Sequence, residues 1–389
     1  MIVELHLLQN FASANLNRDD TGSPKDCQFG GVLRARISSQ CQKRAIRRAF
    51  AEPGSGLGAD ELGARTKTMV REVTDRLATR GHDREPAAVA AGRVVKSLNL
   101  GLDDKTELTR VLVFASAGDF DAVAAFCDAH WDALIEDQRG KKGGTPSVGP
   151  LVTHLRANRS VDVALFGRML AEIKDMGVDA ACHVAHAVST NALAAEVDYF
   201  TAVDDLQRAD DAAGAGAGMV GAIEFNSSCF YRYASVDLGQ LAENLKVPER
   251  ARRALGAFLN AAVRAVPTGK QTSFAAYNPP SLIAAAVRPH GRWSLANAFV
   301  APVAPGYDHA AGRSVDLVEG SILALDRYAG RLAKMYGAEG VTFFSAVDPG
   351  YPGALGYLQD GHAAFDRVDD LIAAVVAAAM PDVEPVPAV

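Results

Sequence analysis

The sequence lacks the features of secreted and membrane-spanning proteins. No apolar run approaches the ~20 residues that a membrane helix needs, and the opening MIVELHLL has neither a basic leader nor a small-residue cleavage site. Cysteine is scarce, and the thiols are odd in number and lack the spacing of metal ligands. We therefore expect a cytoplasmic protein without a membrane partner, whose free thiols stay reduced. These thiols are Cys27, Cys41, Cys127, Cys182 and Cys229.

Nucleotide-binding and nucleophile motifs are also missing. GKQTS at 269–273 lacks the preceding glycine spacing of a Walker loop, and there is no dinucleotide fingerprint and no nucleophile elbow. The composition is that of an ordinary globular protein, with 49% hydrophobic and 22% charged residues among 389. This length allows one large or two ordinary domains. We expect no cofactor and no bound metal.

The spacing of apolar residues predicts an α+β fold. Strands are expected at IVELHLL (2–8), VLRARI (32–37), GAIEFNSSCFYRYASVDL (221–238), GKQTSFAAYNPPSLIAAAV (269–287) and GVTFFSAV (340–347). Residues 56–181 are richer in alanine and have helical periodicity, which we interpret as a helical module inserted into the sheet-bearing one. Further helices are predicted over 247–266 and 317–337.

The stretch FGGVLRARISSQCQKRAIRRAF (29–50) holds six basic residues and no acid, although the formal net charge of the chain is −6. We predict a helix from about Gln40 to Phe50, with Ser38 and Ser39 as natural N-caps. Residues on one side of this helix are apolar, namely Cys41, Ala45, Ile46, Ala49 and Phe50. Those on the opposite side are polar or basic, namely Gln40, Lys43, Arg44, Arg47 and Arg48.

Two interpretations of these cations remain open. They could form a solvated helix face that pairs with acids elsewhere in the chain. Acidic partners at i,i+4 are absent, however, and neighbouring cations repel one another, so we favour neutralisation by a polyanion. Nucleic acid would then bind through its phosphates, with a salt-dependent affinity. Gly30 and Gly31 would allow another chain to approach the backbone closely.

Three other groups of residues suggest chemistry. FYRY at 230–233 could present stacking aromatics on a sheet, although Phe230 could equally belong to the core. His183 and His186 could share a metal on a helix, but no third ligand is evident nearby. Paired acids of the kind that a metal-dependent nuclease uses occur at Asp19 with Asp20 and at Asp204 with Asp205. Such pairs in loops are mostly solvated or capping residues.

Several segments resemble one known family in the order of their occurrence. They are LNRDD (16–20), KDCQFGGVLRARISSQCQKRAIR (25–47), VDVALFGRM (161–169), AHAVSTNALAAEVDYFTAVDDLQ (185–207), EFNSSCFYRYASVDLGQLAENL (224–245) and VPTGKQTSFAAYNP (266–279). Together they are similar to the backbone subunit of the type I-E CRISPR Cascade complex, the CasC family. The match is loose over 52–150 and after about 300.

This resemblance implies a hand-shaped protein with an RRM-like (ferredoxin-like) palm, an inserted helical fingers domain and a β-hairpin thumb. On this sequence the palm would comprise 1–55, 182–195 and 225–389, the fingers 56–181 and the thumb 196–224. Copies would stack head to tail into a helical filament along one CRISPR RNA and present its bases to target DNA in an R-loop. Other partners would be the large, small, 5'-capping and 3'-hairpin-binding endoribonuclease subunits.

The resemblance also implies the RNA-binding residues. The phosphate track of the guide would be lined by Arg18, Lys25, Ser38, Gln40, Lys43, Arg44 and Arg47. Met169 would pack against a base, and the thumb wedge would consist of Phe200, Thr201 and Val203. Without the resemblance, Met169 would be interpreted as a core methionine, and Phe200 and Val203 as core strand residues. The Gly/Ala-rich loop at 209–221 favours a projecting hairpin, because it cannot pack a core.

We consider two hypotheses of function, a binding scaffold and an enzyme. The first is a non-catalytic RNA-binding scaffold of antiviral defence that assembles on a guide RNA. The alternative is a metal-dependent ribonuclease that cleaves with Asp19 and Asp20 or with Asp204 and Asp205. The acid-free basic helix and the family resemblance both favour the scaffold.

Overall fold

The computed structural model describes residues 1–103, 105–135, 146–157, 159–169, 177–202, 219–308, 312–337, 342–351 and 355–383. The chain forms two compact units, each assembled from separate segments. The first unit contains residues 1–49, 184–235 and 259–379, and the second contains residues 50–183, 236–258 and the end of the chain from 380. The division into palm, fingers and thumb stays a prediction.

Strands and helices alternate irregularly along the chain. The strands are β1 (Ile2–Ala14), β2 (Asp26–Phe29), β3 (Val32–Ile37), β4 (Gly63–Thr66), β5 (Val113–Ser116), β6 (Cys182–Val184), β7 (Ala187–Ser189), β8 (Glu196–Ala202), β9 (Met219–Asp237), β10 (Leu282–Arg288), β11 (Gly306–Asp308), β12 (Arg313–Val315), β13 (Thr342–Val347) and β14 (Ala363–Ala364). The helices are α1 (Ser39–Ala49), α2 (Met69–Thr79), α3 (Arg84–Ser97), α4 (Ala117–Ala129), α5 (Trp131–Ile135), α6 (Gly149–Ala157), α7 (Val161–Phe166), α8 (Leu238–Leu245), α9 (Pro248–Arg264), α10 (Gln271–Phe274), α11 (Leu317–Tyr336) and α12 (Val368–Ala379).

The large sheet contains the strand order of a ferredoxin-like core. Its main path runs β14-β13-β10-β1-β9-β7-β3-β2, and β10, β1, β9 and β7 are therefore successive neighbours. The pairs β1–β10 and β7–β9 are antiparallel. Along the chain, helix α1 lies between β1 and β7, and helix α9 lies between β9 and β10. These six elements follow the β-α-β-β-α-β succession of an RRM-like core. The predicted α+β class is confirmed.

Both faces of the central strand β1 are buried. Glu4 is 0% and His6 is 1% exposed, although their polar side chains alternate with Val3, Leu5 and Leu7. Glu4 accepts hydrogen bonds from the Tyr233 hydroxyl (2.6 Å) and the backbone N–H of Trp293 (2.6 Å), and it is paired with Arg288. Buried polar groups persist where such partners satisfy them.

The FYRY motif of β9 belongs to the core and cannot form a stacking platform. Phe230 and Tyr231 are each 4% exposed. Arg232 between the tyrosines is buried as well, and it donates to the Gln9 side chain (2.6 Å) and to the carbonyl oxygen of Ala262 (2.7 Å). The stacking interpretation is therefore wrong, because β9 is covered on both faces at this point.

The second unit contains helices α2 to α8, the beginning of α9 and the antiparallel pair β4–β5. Its core consists of small and branched apolar side chains, including Val73, Leu77, Ala90, Val94 and Val123. The alanine-rich sequence explains this packing, because small side chains allow helices to approach closely. The β4–β5 pair was not predicted.

Two local predictions are wrong. The segment around His183 and His186 lies in and after strand β6 and not on a helix. The predicted strand at 269–287 begins only at Leu282, and Gln271–Phe274 form the short helix α10. Among the described residues, no helix combines the length and the apolar character that a membrane crossing requires.

Candidate nucleic-acid interface

The helix α1 begins at a satisfied N-cap. The backbone N–H of Cys41 donates to the Ser38 hydroxyl (3.3 Å), and the backbone N–H of Ser38 donates to the Asn17 side chain (2.8 Å). Because it accepts this bond from Cys41, the Ser38 hydroxyl is the helix cap that the sequence predicted. The Ser38 residue is 7% exposed. The structure therefore places Ser38 at the edge of the predicted phosphate track, as a capping group.

A buried glutamine anchors α1 to the sheet. Gln42 donates to the carbonyl oxygen of Ala185 (2.8 Å) and accepts from the Arg232 guanidinium (3.2 Å). Ala45 and Ile46 are buried beside it. Gln42 was predicted on neither face of the helix, although its spacing of three and four residues from Ala45 and Ile46 indicates that it shares their side.

Three cations on the opposite side of α1, Lys43, Arg44 and Arg48, have no acidic partner among the described residues. Arg44 and Arg48 are exposed and Lys43 is half-buried. Throughout the described ranges, none of these three side chains lies within ion-pair distance of a carboxylate. Within the described residues, these three side chains therefore give no support to the interpretation that they pair with acids elsewhere in the chain. Gln40 is exposed and Arg47 half-buried on the same helix.

Two cations from the preceding loop and strand lie close to this helix. Burial raises the pKa of the Cys41 thiol, while the charges of Arg44 and Lys25 act in the opposite direction. Burial also lowers the pKa of His186, and Arg36 and Lys25 lower it further. Lys25 is thus close to a residue of α1 and to a residue beside β3, and the positive charges of the two elements meet around it.

Arg18 lies in the exposed part of the same loop. It forms an isolated bridge with Pro24, and Lys25 donates its backbone N–H to the carbonyl oxygen of Asn17 (2.8 Å). The loop is thereby folded back, so that Arg18 lies opposite Pro24 and Asn17 lies beside Lys25. Asp26, Arg36, Asp19 and Lys25 line a cleft of about 280 Å³ at this point.

Arg34, in contrast, is a structural cation. It is 0% exposed, and its guanidinium donates to the carbonyl oxygens of Ser189 (2.9 Å), Thr190 (3.0 Å), Phe299 (2.8 Å) and Val300 (3.2 Å). Burial lowers the pKa of Arg34. Of the six basic residues in the stretch 29–50, Arg34 is therefore unavailable to a ligand.

The two glycines before β3 differ in their surroundings. A Cβ atom on Gly30 would lie 2.0 Å from the carbonyl oxygen of Val300, whereas nothing lies within 4 Å of the corresponding position on Gly31. The chain that approaches Gly30 closely is therefore this chain itself. The expectation of a close approach by another chain can hold only for Gly31.

The described acids of the proposed nuclease pairs do not form a metal site. One Asp19 carboxylate oxygen accepts from the backbone N–H groups of Thr21 (2.9 Å) and Ser23 (3.0 Å) and from the Thr21 hydroxyl (2.8 Å). These bonds, the Thr21 hydroxyl first, lower the pKa of Asp19. Asp20 is exposed, and Asp204 and Asp205 lie outside the described residues. Among the residues that are described, no three or more His, Cys, Asp or Glu side chains form a group that could hold a metal ion.

Met169 lies on the surface of the second unit. It is 91% exposed, which makes the interpretation as a core methionine wrong. The preceding Arg168 is buried and donates to the carbonyl oxygens of Phe114 (3.2 Å) and Leu155 (3.2 Å). Met169 lines a cleft of about 960 Å³ together with Arg65, Leu112 and Phe114.

Two of the predicted thumb residues, Phe200 and Thr201, lie on a two-stranded ribbon. Residues Glu196–Ala202 of β8 pair with the first part of β9 in an antiparallel register that places Phe200 opposite Gly221. The Phe200 ring lies over Gly221, since a Cβ there would be 2.4 Å from a ring atom. Thr201 is exposed, and Val203 lies outside the described residues.

Comparison with known proteins identifies the family. The model of the CT1975-like protein family matches residues 3–358. The chain belongs to this family. No curated protein matches the chain.

Two chains of solved structures are similar to this one over nearly its whole length. A chain of a CRISPR RNA-guided surveillance complex in a pre-nicking state is 34% identical, with a TM-score of 0.84, and the match covers 97% of this chain and 100% of that one. A chain of a second CRISPR RNA-guided surveillance complex is 30% identical, with a TM-score of 0.73 and the same coverage. The coarser part of the resemblance is therefore confirmed, namely a CRISPR-associated protein of the Cascade type.

Proposed function

We propose that this chain is a non-catalytic CRISPR RNA-binding backbone subunit of a type I-E Cascade complex and a member of the CasC family. Copies of the chain stack head to tail along one guide RNA in the cytoplasm. They hold its phosphate backbone and present its bases to target DNA, forming an R-loop. The large, small, 5'-capping and 3'-hairpin-binding subunits complete the complex.

The observation that carries this proposal is the cation face of α1. Lys43, Arg44 and Arg48 have no acidic partner in the described part of the chain, so a polyanion that neutralises them relieves their mutual repulsion. A scaffold for arbitrary guide sequences must hold phosphates and sugars while leaving the pairing edges of the bases free. The similarity to chains of RNA-guided complexes supports RNA as the polyanion.

The remaining predicted residues have roles that suit the same function. Arg18, Lys25, Gln40 and Arg47 extend the phosphate track around α1, and Ser38 caps its helix. The exposed Met169 packs against a base of the guide. Phe200, Thr201 and Val203 form the thumb wedge, because apolar and small side chains interrupt base stacking without reading sequence.

The salt dependence of RNA binding tests the proposal. Lys43→Ala combined with Arg44→Ala removes two phosphate contacts, so the slope of log K against log salt becomes shallower by about 1.4, at about 0.7 per contact with a single strand. The free energy of unfolding changes by less than about 0.5 kcal/mol, because Arg44 is exposed and the half-buried Lys43 has no ion-pair partner among the described residues. The matched control, Arg327→Ala with Lys334→Ala, removes two cations from exposed positions of α11 and leaves the slope unchanged.

Two outcomes contradict the proposal. One is a Lys43 and Arg44 double variant that retains the wild-type affinity and slope. The other is cleavage of labelled RNA by the assembled protein in Mg²⁺ or Mn²⁺, stopped by EDTA and abolished by Asp20→Asn. The second result would establish the ribonuclease alternative.

A further inference from the structure

The loop of residues 267–277, which contains the GKQTS motif, has an unusual backbone. It encloses the single turn α10, and both flanking residues adopt left-handed conformations: Lys270 has φ 51° and ψ 23°, and Ala275 has φ 47° and ψ 39°. Neither residue is glycine, which is the usual occupant of this region. Non-glycine residues in such conformations are strained, and they persist where the surroundings hold them for a purpose.

Three contacts hold this loop in place. The buried Gln271 donates to the carbonyl oxygens of Pro267 (3.0 Å) and Ala276 (3.2 Å). Gly269 packs directly on the carbonyl oxygen of Leu16, since a Cβ there would lie 2.3 Å from that atom. The rings of Phe274 and Phe225 have their centroids 5.7 Å apart.

The segment on which the loop packs also holds α1. The carbonyl oxygen of Leu16 accepts from the Cys41 thiol (3.8 Å), and Asn17 accepts from the backbone N–H of Ser38. Residues 15–17 therefore contact the first turn of α1 and the 267–277 loop. This shared support brings Gly269, the residue before Lys270, close to the first turn of α1, although the two are more than 200 residues apart in the chain.

The side chains that the loop offers suit a sugar–phosphate strand. Lys270 is half-buried and, among the described residues, has no ion-pair partner. Thr268, Thr272 and Ser273 are exposed around it. Lysine and hydroxyl side chains are the usual partners of phosphate and sugar oxygens.

We propose that Lys270 is a further phosphate contact of the guide RNA and that the 267–277 loop continues the phosphate track of α1. The strained loop fixes the backbone of Lys270 near the first turn of α1 before RNA binds. This inference rests on the proposed function, because it takes the ligand of α1 to be RNA.

Binding of a single-stranded RNA oligonucleotide to the full-length chain, measured over a range of KCl concentrations, tests this assignment. Lys270→Ala makes the salt slope shallower by about 0.7, so that its affinity deficit shrinks roughly 2.6-fold between 50 and 200 mM KCl. Lys270→Arg keeps the wild-type slope. Lys334→Ala removes an exposed lysine from the last turn of α11, and it also keeps the slope.

Gly269→Ala tests whether the position of Lys270, and not only its charge, matters for RNA binding. The added methyl group displaces the loop from Leu16 while Lys270 stays present, so the salt slope again becomes shallower by about 0.7. An unchanged melting temperature of Lys270→Ala shows that its effect does not come from unfolding.

The inference and the proposed function fail in different ways. If Lys270→Ala keeps the wild-type slope while the Lys43 and Arg44 variant loses its own, the inference is overturned and the proposed function stands. If the wild-type chain binds no RNA, the proposed function fails. If Lys270→Ala weakens only the binding of complementary DNA to RNA-loaded protein, the contact belongs to the target strand and the assignment to the guide is wrong.

Discussion

The two halves of the stretch 29–50 carry the same kind of charge and use it in opposite ways. In β3, Arg34 is fully buried and donates to four backbone carbonyl oxygens. In α1, Lys43, Arg44 and Arg48 have no acidic partner among the described residues. A run of basic residues is therefore not one functional patch, because secondary structure and long-range packing decide which cations remain available to a ligand.

The largest difference in stability between substitutions in β3 and in α1 is expected at Arg34. Arg34→Met removes the four hydrogen bonds of the guanidinium group, so the free energy of unfolding falls by about 4 kcal/mol, at about 1 kcal/mol for each lost bond. Urea denaturation measures this. Arg48→Met, which removes an exposed arginine of α1, changes the value by less than about 0.5 kcal/mol. Equal losses in both variants would erase the distinction between structural and available cations.

Lowering the pH is expected to reduce the stability of the fold while leaving the salt dependence of RNA binding unchanged. Burial lowers the pKa of His6 from 6.5 to about 4, with Arg288 acting in the same direction and Glu4 against it. The unfolded chain thus binds this proton at a higher pH than the folded chain, and stability is lost as the pH falls below 6.5. Between pH 7 and 5 the loss is about 2 kcal/mol. Lysine and arginine keep their charge in this range, so the salt slope of RNA binding stays constant.

Urea denaturation at the two pH values measures the effect of His6. In His6→Gln this contribution to the pH dependence disappears, whereas His290→Gln, at an exposed position, retains it. A salt slope that changes between pH 7 and 5 in parallel with stability would contradict the separation of the sheet core from the α1 surface.

The smallest effect is expected at the glycines before β3. Gly30 and Gly31 have φ values of 63° and 78°, and alanine at either position is strained by about 1 kcal/mol. Gly30→Ala also displaces the Val300 carbonyl that accepts from Arg34, so we expect it to cost about 1 kcal/mol more than Gly31→Ala. Thermal and urea denaturation of the two variants test the difference. Equal losses would mean that Val300 does not constrain Gly30.

Local patterns predicted what depends on local spacing. The 100° periodicity of 40–50 gave the two faces of α1, and the serines before it gave its cap. Alternation identified β1 and β3, and the succession of elements led to the correct α+β class. These features follow from residues within one or two turns of each other, so that sequence alone contains them.

The remaining features depend on contacts between distant parts of the chain. Arg34 is structural because carbonyl groups near residues 189 and 299 surround it. FYRY is core because α1 and α9 contact Arg232 on one face of β9 and Phe299 packs on Tyr231 on the other. Met169 is exposed although the preceding Arg168 is buried. The strained backbone of Lys270 has no sequence signature, since left-handed conformations are predicted from glycine and asparagine.

A density map of the chain assembled on a guide RNA tests the central claim most directly. The account predicts RNA phosphate oxygens within salt-bridge distance of Lys43 and Arg44, with the pairing edges of the bases turned away from α1. A map in which this face of α1 contacts only solvent, or the carboxylates of another subunit, would contradict it.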